Sequence, residues 1–163
     1  MKKLYLLFLL MVSFASSAMW LTKIEDSIFD EKTALLLGEV NNGTSFIIIE
    51  CKGDDLYFSF VERANTADFK PYPVTLLFKI DGNPTLEFNA TTSQRNVDHI
   101  QATSQDVTNI LSVIDELRTA KNKFMVGLTV KGTDYRASFT GDVYRSTAEV
   151  NKFIKACDIK YQF

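Results

Sequence analysis

The sequence predicts a strand-rich α+β fold: antiparallel, β-sandwich-like sheets with two accessory helices and one disulfide. Three observations lead there. Short stretches with period-two apolar alternation are separated by Gly- and Asn-containing turns through the first half of the chain. Two amphipathic windows of helical period follow in the second half. The chain holds two cysteines, one at the end of a β-branched run and one on the apolar side of the last helical window.

Taking the elements in order, TALLLGEV (33–40) and SFIIIECK (45–52) flank Asn41-Asn42-Gly43-Thr44, and the Asn-Gly pair is a strong hairpin signal. Lys52-Gly53-Asp54-Asp55 turns the chain into LYFSFVE (56–62), which sets Leu56, Phe58 and Phe60 on one face. PVTLLFKI (73–80) and TLEFNAT (85–91) flank the turn Asp81-Gly82-Asn83-Pro84. In the former, Val74, Leu76, Phe78 and Ile80 alternate with Thr75, Leu77 and Lys79, as a half-buried strand requires. Such a meander favours antiparallel pairing.

The period then changes. Val107, Ile110, Leu111, Ile114 and Leu117 form one face of a helix between Asp106 and Lys121, with Ser104 or Asp106 as its cap. KFMVGLTVK (123–131) and DYRASFTG (134–141) are two more strands joined through Lys131-Gly132-Thr133-Asp134. In RSTAEVNKFIKAC, Ser146 and Glu149 have the spacing of a capping box, and Val150, Phe153, Ile154 and Cys157 share a helical face. Residues 19–163 contain no repeat, low-complexity tract or Pro/Gly/Ser linker, so they read as a single β-rich domain.

The first 18 residues are of another kind. Lys2 and Lys3, an apolar run from Leu4 to Phe14 and small residues at Ser16 and Ala18 make the three parts of a secretory signal. That run is shorter than the roughly 20 residues a bilayer span needs, so no transmembrane anchor is expected after cleavage near Ala18. The location predicted is periplasmic or secreted. Removing Lys2 and Lys3 from 18 basic residues leaves 16 against 20 acidic ones, a net charge of −4. With no basic block, nucleic acid and anionic membrane surfaces are unsuited partners.

Export bears on the cysteines, because disulfides persist outside the cytosol. Cys51 and Cys157 lack Cys-x-x-Cys spacing, and one histidine, His99, cannot complete a four-ligand zinc site with them. A Cys51–Cys157 bond, with Cα atoms about 5.5 Å apart, is the expectation. Cys51 shares a strand face with Ile47 and Ile49, so the bond would pin the last helix across the sheet.

Catalytic constellations are sparse. A Ser-His-Asp site would need His99, whose neighbour Asp98 faces the other way on a strand, and no GxSxG elbow is present. The acidic pairs Glu25-Asp26, Asp30-Glu31 and Asp54-Asp55 sit in turn-like or cap-like contexts where acids are ordinary. Asp26–Glu31 lacks the alternating ligands and central glycine of an EF-hand. No catalytic residue, metal or cofactor is therefore assigned, and an enzyme is not expected. Phe58, Phe60, Phe78, Phe88, Phe139 and Phe153 fall on inward faces and are assigned to the core. Tyr57, Phe69, Tyr72, Tyr144 and Tyr161 fall on outward faces or loops. Among these, Phe69 and Pro71-Tyr72-Pro73, in the loop RANTADFKPYP, are the candidate partner-binding residues.

The order of features also carries a resemblance. Trp20 leads into EDSIFDEKTALLL and IIIEC, then LYFSF, PVTLLFKIDGNP, the helix IDELRTAKNK, a strand pair ending YRASFTG and a final helix closing on KAC. This order resembles the small periplasmic proteins of the type VI secretion-associated VasI/TagO type and, more distantly, the invasion-associated locus B class. Glu50 stands before Cys51 where that family carries basic residues. The resemblance implies a non-catalytic envelope accessory protein that binds another exported protein. A periplasmic inhibitor or immunity-type protein, its acidic surface attracting an incoming basic enzyme or phage factor, is the alternative.

Overall fold

The structure, a computed structural model, describes residues 19–25, 33–40, 43–66 and 69–160. The expected signal segment (1–18), Asp26, Asp30, Glu31, Asn42 and Tyr161 lie outside these residues. The described elements are, in chain order, β1 (Trp20–Glu25), β2 (Thr33–Glu39), β3 (Ser45–Lys52), β4 (Asp55–Arg63), β5 (Pro73–Ile80), β6 (Leu86–Asn96), β7 (His99–Ser104), α1 (Val107–Thr119), β8 (Lys123–Val130), β9 (Arg136–Asp142) and α2 (Ser146–Ala156).

All nine described strands belong to one sheet in the order β1-β2-β3-β4-β7-β6-β5-β8-β9, each antiparallel to its neighbours. The fold is thus the strand-rich α+β class with two helices, and the sheets expected from the pattern are one continuous sheet. Strands β1 to β4 form a meander, and a second meander of β5 to β7 is laid down in reverse, so that β7 rather than β5 pairs with β4. Helix α1 then crosses back over this meander to deliver β8 beside β5.

One face of the sheet is the core face. Trp20, Phe124, Phe78, Phe58 and Phe88 make successive ring contacts across it at centroid distances of 5.3, 5.4, 5.3 and 4.5 Å. Ile110, Val113, Ile114 and Leu117 of α1 and Val150 and Phe153 of α2 pack onto this layer, all of them buried. The α1 stripe is shifted from the expected set: Val113 is buried, Leu111 is only partly buried at its margin, and Val107 lies exposed in the first turn. Asp106 caps α1, its carboxylate accepting from the Asn109 N–H at 3.1 Å.

The sheet curls until its two edges meet at one end. The Trp20 indole N–H donates to the Asp142 carbonyl at 2.9 Å, and the Trp20 N–H donates to the Tyr144 carbonyl at 3.4 Å. Glycine makes this closure possible. A Cβ on Gly38 would lie 2.6 Å from the Trp20 ring, and one on Gly141 would overlap the Phe124 ring.

The capping box expected at Ser146 and Glu149 does not form. Arg145, in the left-handed region at φ 66°, precedes the helix, and the Ser146 hydroxyl donates to the Leu117 carbonyl of α1 at 2.9 Å. Glu149 instead serves edge strand β1, whose outward N–H groups lack a ladder partner. Its Oε2 accepts from the Thr22 N–H at 2.9 Å, and the Thr22 hydroxyl donates to the Glu149 carbonyl at 2.6 Å. Cys51 and Cys157 are bonded, with Cα atoms 6.1 Å apart, so α2 is fastened to the central strand β3 as well as to β1.

Candidate functional site

Beyond the end of the sheet that the helices cover, its core face opens into a mouth. The inward positions of β4 are Leu56, Phe58, Phe60 and Glu62; the first three are buried and Glu62 is half-buried. Strand register aligns Glu62 with Ile100 on β7, Phe60 with Ala102, and Ala102 with Thr92 on β6. On the other side, β5 and β8 bring Leu128 and Val130 to the same level. Glu62, Phe60, Ile100, Leu128, Val130, Tyr72 and Tyr135 line a hollow of about 160 Å³. The rings at its rim are solvent-facing, Tyr72 at 39% exposure and Tyr135 at 53%.

Tyr72 is held by its backbone. The Thr92 hydroxyl accepts from the Tyr72 N–H at 2.9 Å and donates to the Tyr72 carbonyl at 3.0 Å, and the Thr92 N–H donates to that same carbonyl. The preceding loop is tied to the β6–β7 turn, where the buried Thr66 donates its hydroxyl to the Val97 carbonyl at 2.8 Å. A rim residue fixed in this way gives up little further freedom on binding.

The Glu62 carboxyl has no hydrogen-bond or ion-pair partner among the described residues, and burial pushes it above its ordinary 4.5. A half-desolvated carboxylate without a counter-charge costs free energy that an incoming cation would recover.

Of the four candidate partner-binding residues, only Tyr72 reaches this hollow. Phe69 stands behind it, with ring centroids 6.0 Å apart. Pro71 is exposed in the loop, and Pro73 opens β5 opposite Thr91, on the other face from Val74. Glu62 and Tyr135 escaped the sequence reading. The alternation in LYFSFVE does place residue 62 on the Phe58–Phe60 face, and an acid continuing an inward apolar row was the available signal.

The remaining chemical candidates take structural places. His99 Nδ1 lies 3.1 Å from the Asn96 carboxamide oxygen within the β6–β7 turn, and that same oxygen accepts from the Asp98 N–H. Asp54 and Asp55 occupy the β3–β4 turn, and Glu25 pairs with Lys23 at 2.5 Å. Among the described residues, no three His, Cys, Asp or Glu side chains converge to hold a metal. The opposite face of the sheet has a broader polar hollow of about 600 Å³, where Arg95 donates to Gln101 at 2.7 Å, Gln101 to Ser93 at 3.2 Å, and Ser59 pairs with Thr103. Several of its polar groups thus pair with one another.

The chain matches no protein-family model, and no curated protein or solved structure matches it.

Proposed function

We propose that this chain is an exported, non-catalytic binding protein of the bacterial envelope that engages another exported protein through the open mouth of its sheet. The observation that carries the reading is the convergence of two exposed tyrosines and an unpartnered carboxylate on one small hollow. At about 160 Å³ it falls below the 300–1,000 Å³ range of cofactor- and drug-sized sites, so it suits one protruding side chain. Aromatic rims around such hollows are typical anchors of protein interfaces. The Cys51–Cys157 bond is compatible with an oxidising compartment. No helix among the described residues is long and apolar enough to cross a membrane. The acidic balance of the sequence also favours the second reading, inhibition of a basic incoming enzyme, which uses the same face.

Site-directed photo-crosslinking in the envelope tests the proposal. A photoreactive phenylalanine analogue at position 72 is expected to give a discrete adduct, and one at position 144, at the other end of β9, none. Mass spectrometry of the adduct separates an envelope component from an incoming enzyme. Equal labelling from both positions, or none from 72, would count against the mouth as the binding face.

A further inference from the structure

The geometry points to a lysine-type ammonium on an alkyl stem as the group the mouth accepts, with Glu62 as its counter-charge and Tyr72 and Tyr135 flanking it. This rests on the binding reading above and specifies its chemistry. The walls at Ile100, Leu128 and Val130 are aliphatic, as a methylene stem requires to bury itself while its charged head stays polar. Phe60, Tyr72 and Tyr135 place aromatic side chains in the lining, and the attraction of a cation to such rings grows as the site is desolvated. Glu62 supplies the single full negative charge of the lining.

An ammonium is favoured over a guanidinium by donor count. An ammonium has three donors, which one carboxylate and the water or tyrosine oxygens at the open rim satisfy. A guanidinium has five in a rigid planar fork, and in a hollow this small with one carboxylate several of them would lose water without replacement.

The test uses the oxidised protein without its leader and three small probes: n-butylammonium, its neutral isostere n-butanol, and n-propylguanidinium. Binding is followed through the side-chain NMR signals of Ile100, Leu128, Tyr72 and Tyr135 at fixed ionic strength. Butylammonium is expected to give saturable shifts at all four and to bind about tenfold more tightly than butanol. Glu62→Gln, judged folded by its dispersed amide spectrum, is expected to abolish that preference. The inference is overturned if butanol binds as well as butylammonium, if propylguanidinium binds as well or better, or if no probe saturates. The wild-type comparison stands even if the variant fails to fold. A discrete adduct from position 72 alongside failed ammonium binding would overturn the cation assignment and leave the protein-binding reading intact; the converse result would do the reverse.

Discussion

Glu149 shows how far a single residue's role can lie from its local sequence. Its side chain is 1% exposed and serves three donors: the Thr22 N–H at 2.9 Å, Lys152 Nζ at 2.8 Å and Arg145 Nη2 at 3.3 Å. Burial pushes its carboxyl upward, but the Lys152 hydrogen bond, the Thr22 N–H and the charges of Lys152 and Arg145 outweigh that, leaving it below its ordinary 4.5. A folded-state value below the unfolded one means this stabilisation is present above 4.5 and is lost as pH falls below it. Glu149→Gln is therefore expected to cost about 1.5–3 kcal/mol at neutral pH, the range for hydrogen bonds to charged groups. Urea unfolding at a series of pH values checks this, and the gap between wild type and variant should narrow as pH drops below 4.5. A gap unchanged by acid would mean that the carboxylate charge is not what stabilises. Locally, Ser146 and Glu149 satisfy a capping rule, and nothing in that window points to a strand 127 residues upstream. Tyr72 and Glu62 show the same limit. Proline and aromatic composition marked Tyr72, whereas the hollow that gives both residues meaning depends on register across six strands.

Among the elements, those with strong periodicity were legible and those without were not. The alternation of β5 and the 3.6-residue stripe of α1 both appear where expected. Beyond Thr91 only a strand across Asp98 and His99 was expected, and Asp98 lies in the β6–β7 turn instead; TTSQRN and HIQATS are largely polar on both faces and offer little contrast to read. Turns were legible as turns, but not for what else they do. Asp81 ends β5 at φ 48°, and its carboxylate accepts from the N–H groups of Lys121, Asn122 and Lys123 at 2.8, 3.0 and 3.0 Å. One turn residue thereby sets where α1 gives way to β8. Slight burial raises its carboxyl, and the three backbone donors outweigh that, so its net displacement is downward. Asp81→Ala should cost about 1–2 kcal/mol, since it removes the acceptor and also the short polar side chain that lets Asp and Asn tolerate positive φ better than Ala. Asp81→Asn, which keeps an acceptor and accepts positive φ, should cost less. Thermal unfolding ranks the three proteins, and faster amide exchange at 121–123 in the alanine variant would localise the effect. An alanine variant as stable as wild type would remove Asp81 from this role.

For the whole molecule, the α+β class and both helices could be read from the sequence, but the strand order could not. Period-two patterns say which face of a strand is buried and nothing about its neighbour, so the pairing of β4 with β7 emerges only in three dimensions. The disulfide is the long-range constraint that was legible, because two cysteines on inward faces leave one pairing. It joins β3 to the end of α2 across a separation of 106 residues. Helix α2 also spans the place where the sheet's edges converge, held there by Glu149 on β1 and by Val150 and Phe153 in the core. Loop-closure arithmetic for about a hundred residues gives roughly 4–5 kcal/mol as an upper figure, and removing native disulfides from small secreted domains costs about 2–5 kcal/mol. A Cys51→Ala/Cys157→Ala variant, or the reduced protein, should therefore unfold at a distinctly lower urea midpoint. The order of loosening tests the architecture more sharply than the size of the loss. The central strands β3 and β4 keep their ladders and buried rings without the bond, whereas α2 loses one of its attachments at its C-terminal end. Amide exchange in the reduced protein should accelerate first in α2, then at the outward edge of β1 around Thr22, with β3 and β4 protected longest. Exchange that instead rises uniformly, or first in the central strands, would mean that the bond supports the sheet itself and that α2 is held by packing alone.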